Sequence, residues 1–146
     1  MSASQGFFTC NMINLLYNPL CWELFDYINE DGINEIALWT RRLEKRQRIK
    51  LNQKLDMLQK HGPELPPQLL AGPIFGHIYK LKVKGNVQLR PMLCKGPVDN
   101  DGEYTLLLGA IETDDELDGS PEEAADIREI IIADPLRRRR THERIN

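Results

Sequence analysis

The segment His77–Cys94 reads His-Ile-Tyr-Lys-Leu-Lys-Val-Lys-Gly-Asn-Val-Gln-Leu-Arg-Pro-Met-Leu-Cys. Apolar and basic residues alternate on both sides of Gly85-Asn86, and no acidic residue interrupts them. A period of two marks strands with one face buried, so the segment predicts a β-hairpin. Register follows from keeping one face apolar, because a one-residue slip would turn every side chain to the other face. A three-residue loop, Lys84-Gly85-Asn86, pairs Val83 with Val87, Leu81 with Leu89 and Tyr79 with Pro91. The other face then pairs Lys82 with Gln88 and Lys80 with Arg90. Two like charges side by side on a sheet are mildly destabilising. Such a face is either a solvated basic surface or a surface for an anion. Pro91 predicts an edge or a bulge in the second strand.

Working outward, Pro19 starts an expected first helix to Asn29, with Trp22, Phe25 and Ile28 on one face. Met12–Tyr17 before it reads as a short strand, and residues 1–11 as an arm. Asp31-Gly32 breaks the chain. A long helix is expected from Asn34 to Lys60, with Ile36, Trp39, Leu43, Leu51, Leu55 and Leu58 as its apolar stripe and Gly62-Pro63 as its stop. Its polar face carries Arg41, Arg42, Lys45, Arg46, Arg48 and Lys50, either solvated or a second nucleic-acid contact. Pro63–Pro73 reads as a connector. Glu103–Ile111, apolar on both faces, predicts a central strand. Ser120-Pro121-Glu122-Glu123 predicts a helix start with Ser120 as N-cap and Glu123 closing a capping box, and Ala124, Ile127 and Ile131 as its buried face. Asp134-Pro135 ends that helix. The expected fold is α+β: a small, mainly antiparallel sheet with two N-terminal helices and a C-terminal helix, in the order β-α-α-β-β-β-α. The domain spans residues 12–134, and residues 135–146 form a basic tail.

The 146 residues suit a single domain, and a net charge of −3 names no partner. Distribution says more. Arg41–Lys60 and the hairpin are basic, Asp99–Asp134 is acidic, and Arg137–Arg140 is a basic run. Such segmentation concerns partners more than fold. Cys10, Cys21 and Cys94 have no metal-ligand spacing and suit a reducing compartment. No run reaches membrane-spanning length, and no phosphate-cradling glycine loop is present. No cofactor and no metal site are expected.

This order of elements, with particular residues, resembles the RelE/HigB toxin superfamily, and most of all its phage-derived HigB-like branch. The resemblance is carried by Leu55-Asp56-Met57-Leu58-Gln59-Lys60-His61-Gly62-Pro63-Glu64-Leu65-Pro66, by Leu70-Ala71-Gly72, by Tyr79-Lys80-Leu81-Lys82-Val83, by Arg90, and by the apolar Leu106-Leu107-Leu108-Gly109. It covers about Ile13 to Ala133. It implies a metal-independent endoribonuclease acting on messenger RNA at the ribosome, paired with an antitoxin protein in a bacterial cytoplasm. Catalytic positions carry over to Lys80, Lys82 and Arg90. Lys84 and Arg137, Arg138, Arg139 and Arg140 are the added RNA-binding candidates. Active relatives continue after the last strand with basic residues. This chain instead reads Ile111-Glu112-Thr113-Asp114-Asp115-Glu116-Leu117-Asp118. That departure opens a second reading: a non-enzymatic phage accessory or virion protein of the same fold, whose acidic segment pairs with a basic host or phage protein or with the chain's own hairpin.

Overall fold

The computed structural model describes residues 21–114 and 116–146. The arm at residues 1–11 and the strand expected at Met12–Tyr17 lie outside the described residues. Within them the chain runs β1 (Glu23–Tyr27), α1 (Glu35–Arg42), α2 (Lys45–His61), β2 (Leu70–Phe75), β3 (Ile78–Leu81), β4 (Gln88–Leu89), β5 (Met92–Lys95), β6 (Glu103–Leu108), β7 (Ile111–Glu112), α3 (Ser120–Ala133), α4 (Pro135–Arg138) and β8 (Arg139–Thr141). Six strands form one sheet in the order β2-β3-β5-β6-β1-β8, and β4 pairs with β7 beside it. Among the described residues only the β1–β6 pair is parallel. The fold is α+β with a mainly antiparallel sheet.

The helix expected over Pro19–Asn29 is not formed where it can be seen, because Glu23–Tyr27 is a strand between β6 and β8. The three-residue spacing of Trp22, Phe25 and Ile28 imitates a helical stripe, yet each meets different surroundings. Trp22 packs on Tyr104, with ring centroids 5.1 Å apart. Phe25 lies under the Arg139 guanidinium, and Ile28 is buried. Two ladders outweigh a weak local periodicity.

The long helix expected from Asn34 to Lys60 is two helices. Asn34 caps α1 by accepting from the Ala37 N–H at 2.9 Å. Leu43 and Glu44 are extended. Glu44 then starts α2, its N–H donating to the Gln47 side chain at 3.0 Å. The expected stripe still points inward: Ile36, Leu43, Leu51, Leu55 and Leu58 are buried in one cluster with Leu81, Val83, Leu89 and Leu93. Gly62 ends α2 with φ 54°, and any Cβ there would collide with the Trp22 indole. The stretch expected as a connector supplies β2, an edge strand on β3.

β6 is the central strand expected at Glu103–Ile111, although it ends at Leu108. α3 has the expected Ala124 and Ile131 buried, but Ser120 is its first residue rather than its cap. Gly119, at φ 78°, stands at the N-cap with no side-chain capping bond. α3 covers the second face of the sheet, where Ile78, Met92, Cys94 and Leu107 form a second buried cluster with Ala124 and Ile131. Residues 135–146 add α4 and β8, and β8 pairs with β1.

Candidate nucleic-acid interface

The hairpin of His77–Cys94 forms, but two residues out of the expected register. Val83 bridges Leu89, Lys80 faces Met92 and Tyr79 faces Leu93. The loop therefore runs from Lys84 to Gln88 and is held by the Gln88 amide donating to the Gly85 carbonyl at 2.9 Å. An even shift leaves every side chain on its expected face. Lys80, Lys82 and Arg90 do share one face, with Lys82 rather than Lys80 opposite Arg90. The shift arises because Gln88–Leu89 forms a second ladder with Ile111–Glu112, which draws this part of the strand off the main sheet. Pro91 sits at the joint between β4 and β5, and the β5–β6 register slips just after it, between Met92 and Leu93.

That shared face is not free. Ile78 and Met92, which flank Lys80 on it, are fully buried. The chain turns at Gly109, whose Cβ position is filled by the Trp39 indole, and β7 returns Glu112 to the hairpin. Glu112 takes both cations. Lys80 Nζ donates to its Oε2 at 2.9 Å, and Arg90 Nε donates to its Oε1 at 2.7 Å. Arg90 further donates Nη1 to the Leu89 carbonyl at 2.8 Å and Nη2 to Gln88 Oε1 at 3.1 Å. The side chains of Arg90, Glu112 and Lys80 are only 6%, 13% and 15% exposed. The Lys80 hydrogen bond holds the Glu112 carboxyl below its ordinary value of 4.5; burial opposes this, and the Arg90 bond adds to it. Lys80 and Arg90 thus converge on one carboxylate, in an arrangement that would equally hold two phosphate oxygens.

Lys82 is half-buried and, among the described residues, has no carboxylate within 4 Å. Lys84 is exposed in the loop. The four arginines separate. Arg137 is exposed and 3.9 Å from Asp134. Arg138 donates to the Asn29 carbonyl at 3.0 Å. Arg139 pairs with Glu103 and covers Phe25, while Arg140 is exposed. Two of the four are therefore committed to holding the C-terminal segment, not arrayed along a ligand surface. Among the described residues of the acidic stretch, Glu112 is the carboxylate that meets the hairpin; Asp114, Glu116 and Asp118 are exposed.

Sequence reasoning left His142 without a role. It lies beyond β8 with Nδ1 2.8 Å from the Asp26 carboxylate, and Asp26 is fully buried and also accepts from Asn34 at 2.9 Å. The signal in the sequence is an acid set among apolar residues, Leu24-Phe25-Asp26-Tyr27-Ile28, which a packed segment can hold only with a partner. His77 is exposed in the β2–β3 turn. Among the described residues no group of three His, Cys, Asp or Glu side chains is placed to hold a metal ion, and no helix is long and apolar enough to cross a membrane. Cys94 is a free buried thiol pushed up to about 12 by burial, whereas Cys21 is disulfide-bonded, unlike the three reduced thiols expected.

No protein-family model, curated protein or solved structure matches this chain.

Proposed function

We propose that this chain is a RelE/HigB-like protein that binds RNA through its basic hairpin side and does not cleave it. The observation that carries the reading is the Lys80–Glu112–Arg90 cluster. Cleavage by a ribose 2′-OH needs cations free to meet charge developing on the phosphate. Here the two cations closest to that task are neutralised by the chain itself. A phosphate entering the site would have to displace Glu112 or lie beside it. At about 4 Å and an effective dielectric near 20, that contact costs on the order of 4 kcal/mol. What supports the RelE-like ancestry is β1 followed by two helices, then antiparallel strands leading to β6 beside β1, then a helix. The test is a full-length preparation mixed with single-stranded RNA. Salt-sensitive binding with intact RNA supports the reading. Cleavage that Lys80→Ala or Arg90→Ala abolishes defeats it.

A second reading is favoured by a different observation. Leu136 is 95% exposed, with Ile132 and Ile130 half-exposed on α3 before it. A non-enzymatic accessory protein would use such an exposed leucine against a host or phage protein. One stoichiometric protein partner, captured by the wild type and lost with Leu136→Asp, would favour it over RNA.

A further inference from the structure

The first turns of α2 lie against the loop between β3 and β4, and together they line a cleft of about 110 Å³. Its apolar lining includes Val83 and Leu89, both buried. Three cations reach it from two elements: Arg46 and Lys50 from α2, and Lys84 from the loop. Glu44 is the one acidic residue in its lining. Among the described residues none of the three cations has a carboxylate within 4 Å, in contrast to Lys80 and Arg90. Gly85 leaves room for this convergence: a methyl group built on it would stand 3.2 Å from Lys50 Nζ. Arg46 and Lys84 are exposed and Lys50 is half-buried, and all three border this one cleft.

We infer that this cleft is a phosphate-binding site, with Lys50 and Lys84 as the ammonium pair that holds the anion and Arg46 as the guanidinium closing over it. The chemistry fits a tetrahedral oxyanion. Two ammonium groups supply point charges and several donors, and a guanidinium offers a planar fork. Size limits what else enters. The space is small, at about 110 Å³. That accommodates one phosphate group and falls well short of the ~300 Å³ of pockets that bury a whole small molecule. The phosphate is therefore presented from outside, as one link of a chain running past the cleft. Its origin in RNA rests on the function proposed above; the anion site does not.

The test is two-dimensional amide NMR on the full chain, titrated separately with inorganic phosphate and with a short single-stranded RNA. Both ligands are expected to shift the amides of Arg46–Lys50 and Lys84–Val87. Lys50→Ala with Lys84→Ala should abolish the phosphate shifts and weaken RNA binding by about tenfold or more at low salt, lowering the log–log salt slope by about 0.7, the share of one phosphate. Lys50→Arg with Lys84→Arg should keep both. Unchanged amides elsewhere show that the alanine variant is folded. Phosphate that shifts other residues or none overturns the assignment. RNA that binds without touching the cleft overturns it too and leaves the RNA reading standing. Phosphate held in the cleft without RNA affinity supports the site and overturns the RNA reading.

Discussion

Replacing Glu112 tests the cluster at the centre of this molecule. Its carboxylate accepts two charge-assisted bonds, at 2.7 Å from Arg90 and 2.9 Å from Lys80. Hydrogen bonds to charged groups contribute about 1.5–3 kcal/mol each. Removing one partner of a buried pair costs about 3–5 kcal/mol, because the other charge is left without one. Arg90, at 6% exposure, cannot rehydrate, while Lys80, at 15%, regains part of its water. Glu112→Ala should therefore lose ~3 kcal/mol, the low end of that range. Glu112→Gln keeps one good acceptor and should lose ~2 kcal/mol. Urea unfolding reads this as a lower midpoint at unchanged slope. A cycle with Lys80→Met should return a coupling of about 1–2 kcal/mol. The pH dependence has a definite sign. The folded carboxyl titrates below 4.5, so its stabilisation is complete above the unfolded value and fades as pH falls through the folded one. Wild type and Glu112→Gln should therefore converge in stability below pH 4.5. A loss under about 0.5 kcal/mol for Glu112→Ala, the range of ordinary surface substitutions, would mean that Glu112 does not hold Lys80 and Arg90.

Gly62→Ala should cost at least ~1–2 kcal/mol, since φ 54° is unfavourable for a side chain and its methyl would meet Trp22; thermal unfolding measures it. Deleting residues 142–146 removes the His142 contact to Asp26, the Arg144–Asp56 pair and the Asn52 bond to the Ile145 carbonyl. It leaves a fully buried carboxylate with Asn34 as its remaining partner, so a loss of ~2–4 kcal/mol is expected and denaturant melts should show it. Cys94, with its thiol at about 12, should resist alkylation at pH 8 and react only at the rate of opening, as mass spectrometry of its peptide would reveal; rapid labelling of the native protein would contradict its burial.

Particular residues explain what was legible in the sequence. The alternation around Gly85-Asn86 placed Lys80, Lys82 and Arg90 on one face, and they are on one face. It could not give the loop length, because Gln88–Leu89 answers to a partner strand far along the chain, Ile111–Glu112. The apolar run at Leu106–Leu108 marked the sheet's centre, since only burial on both faces tolerates it. The outer strands were hidden. β2 contains Gly72-Pro73 and β8 is Arg-Arg-Thr, compositions that read as connector and tail, because edge and late-joining strands need less apolar surface. The site was legible as cations but not as an occupied cluster. The acidic stretch offered several carboxylates, and only three-dimensional pairing singles out Glu112. The cleft of Arg46, Lys50 and Lys84 was half visible: both basic segments were evident, while their juxtaposition depended on the break at Leu43-Glu44, which sets where α2 begins over the loop.

The proposed role requires that RNA be held and left intact. The direct measurement incubates the full-length protein with end-labelled single-stranded RNA at two salt concentrations and follows binding and strand integrity in one sample. A complex that weakens steeply with salt is expected, with the RNA recovered whole. RNA cut by the wild type and spared by Lys80→Ala or Arg90→Ala, or no complex at low salt, would contradict it.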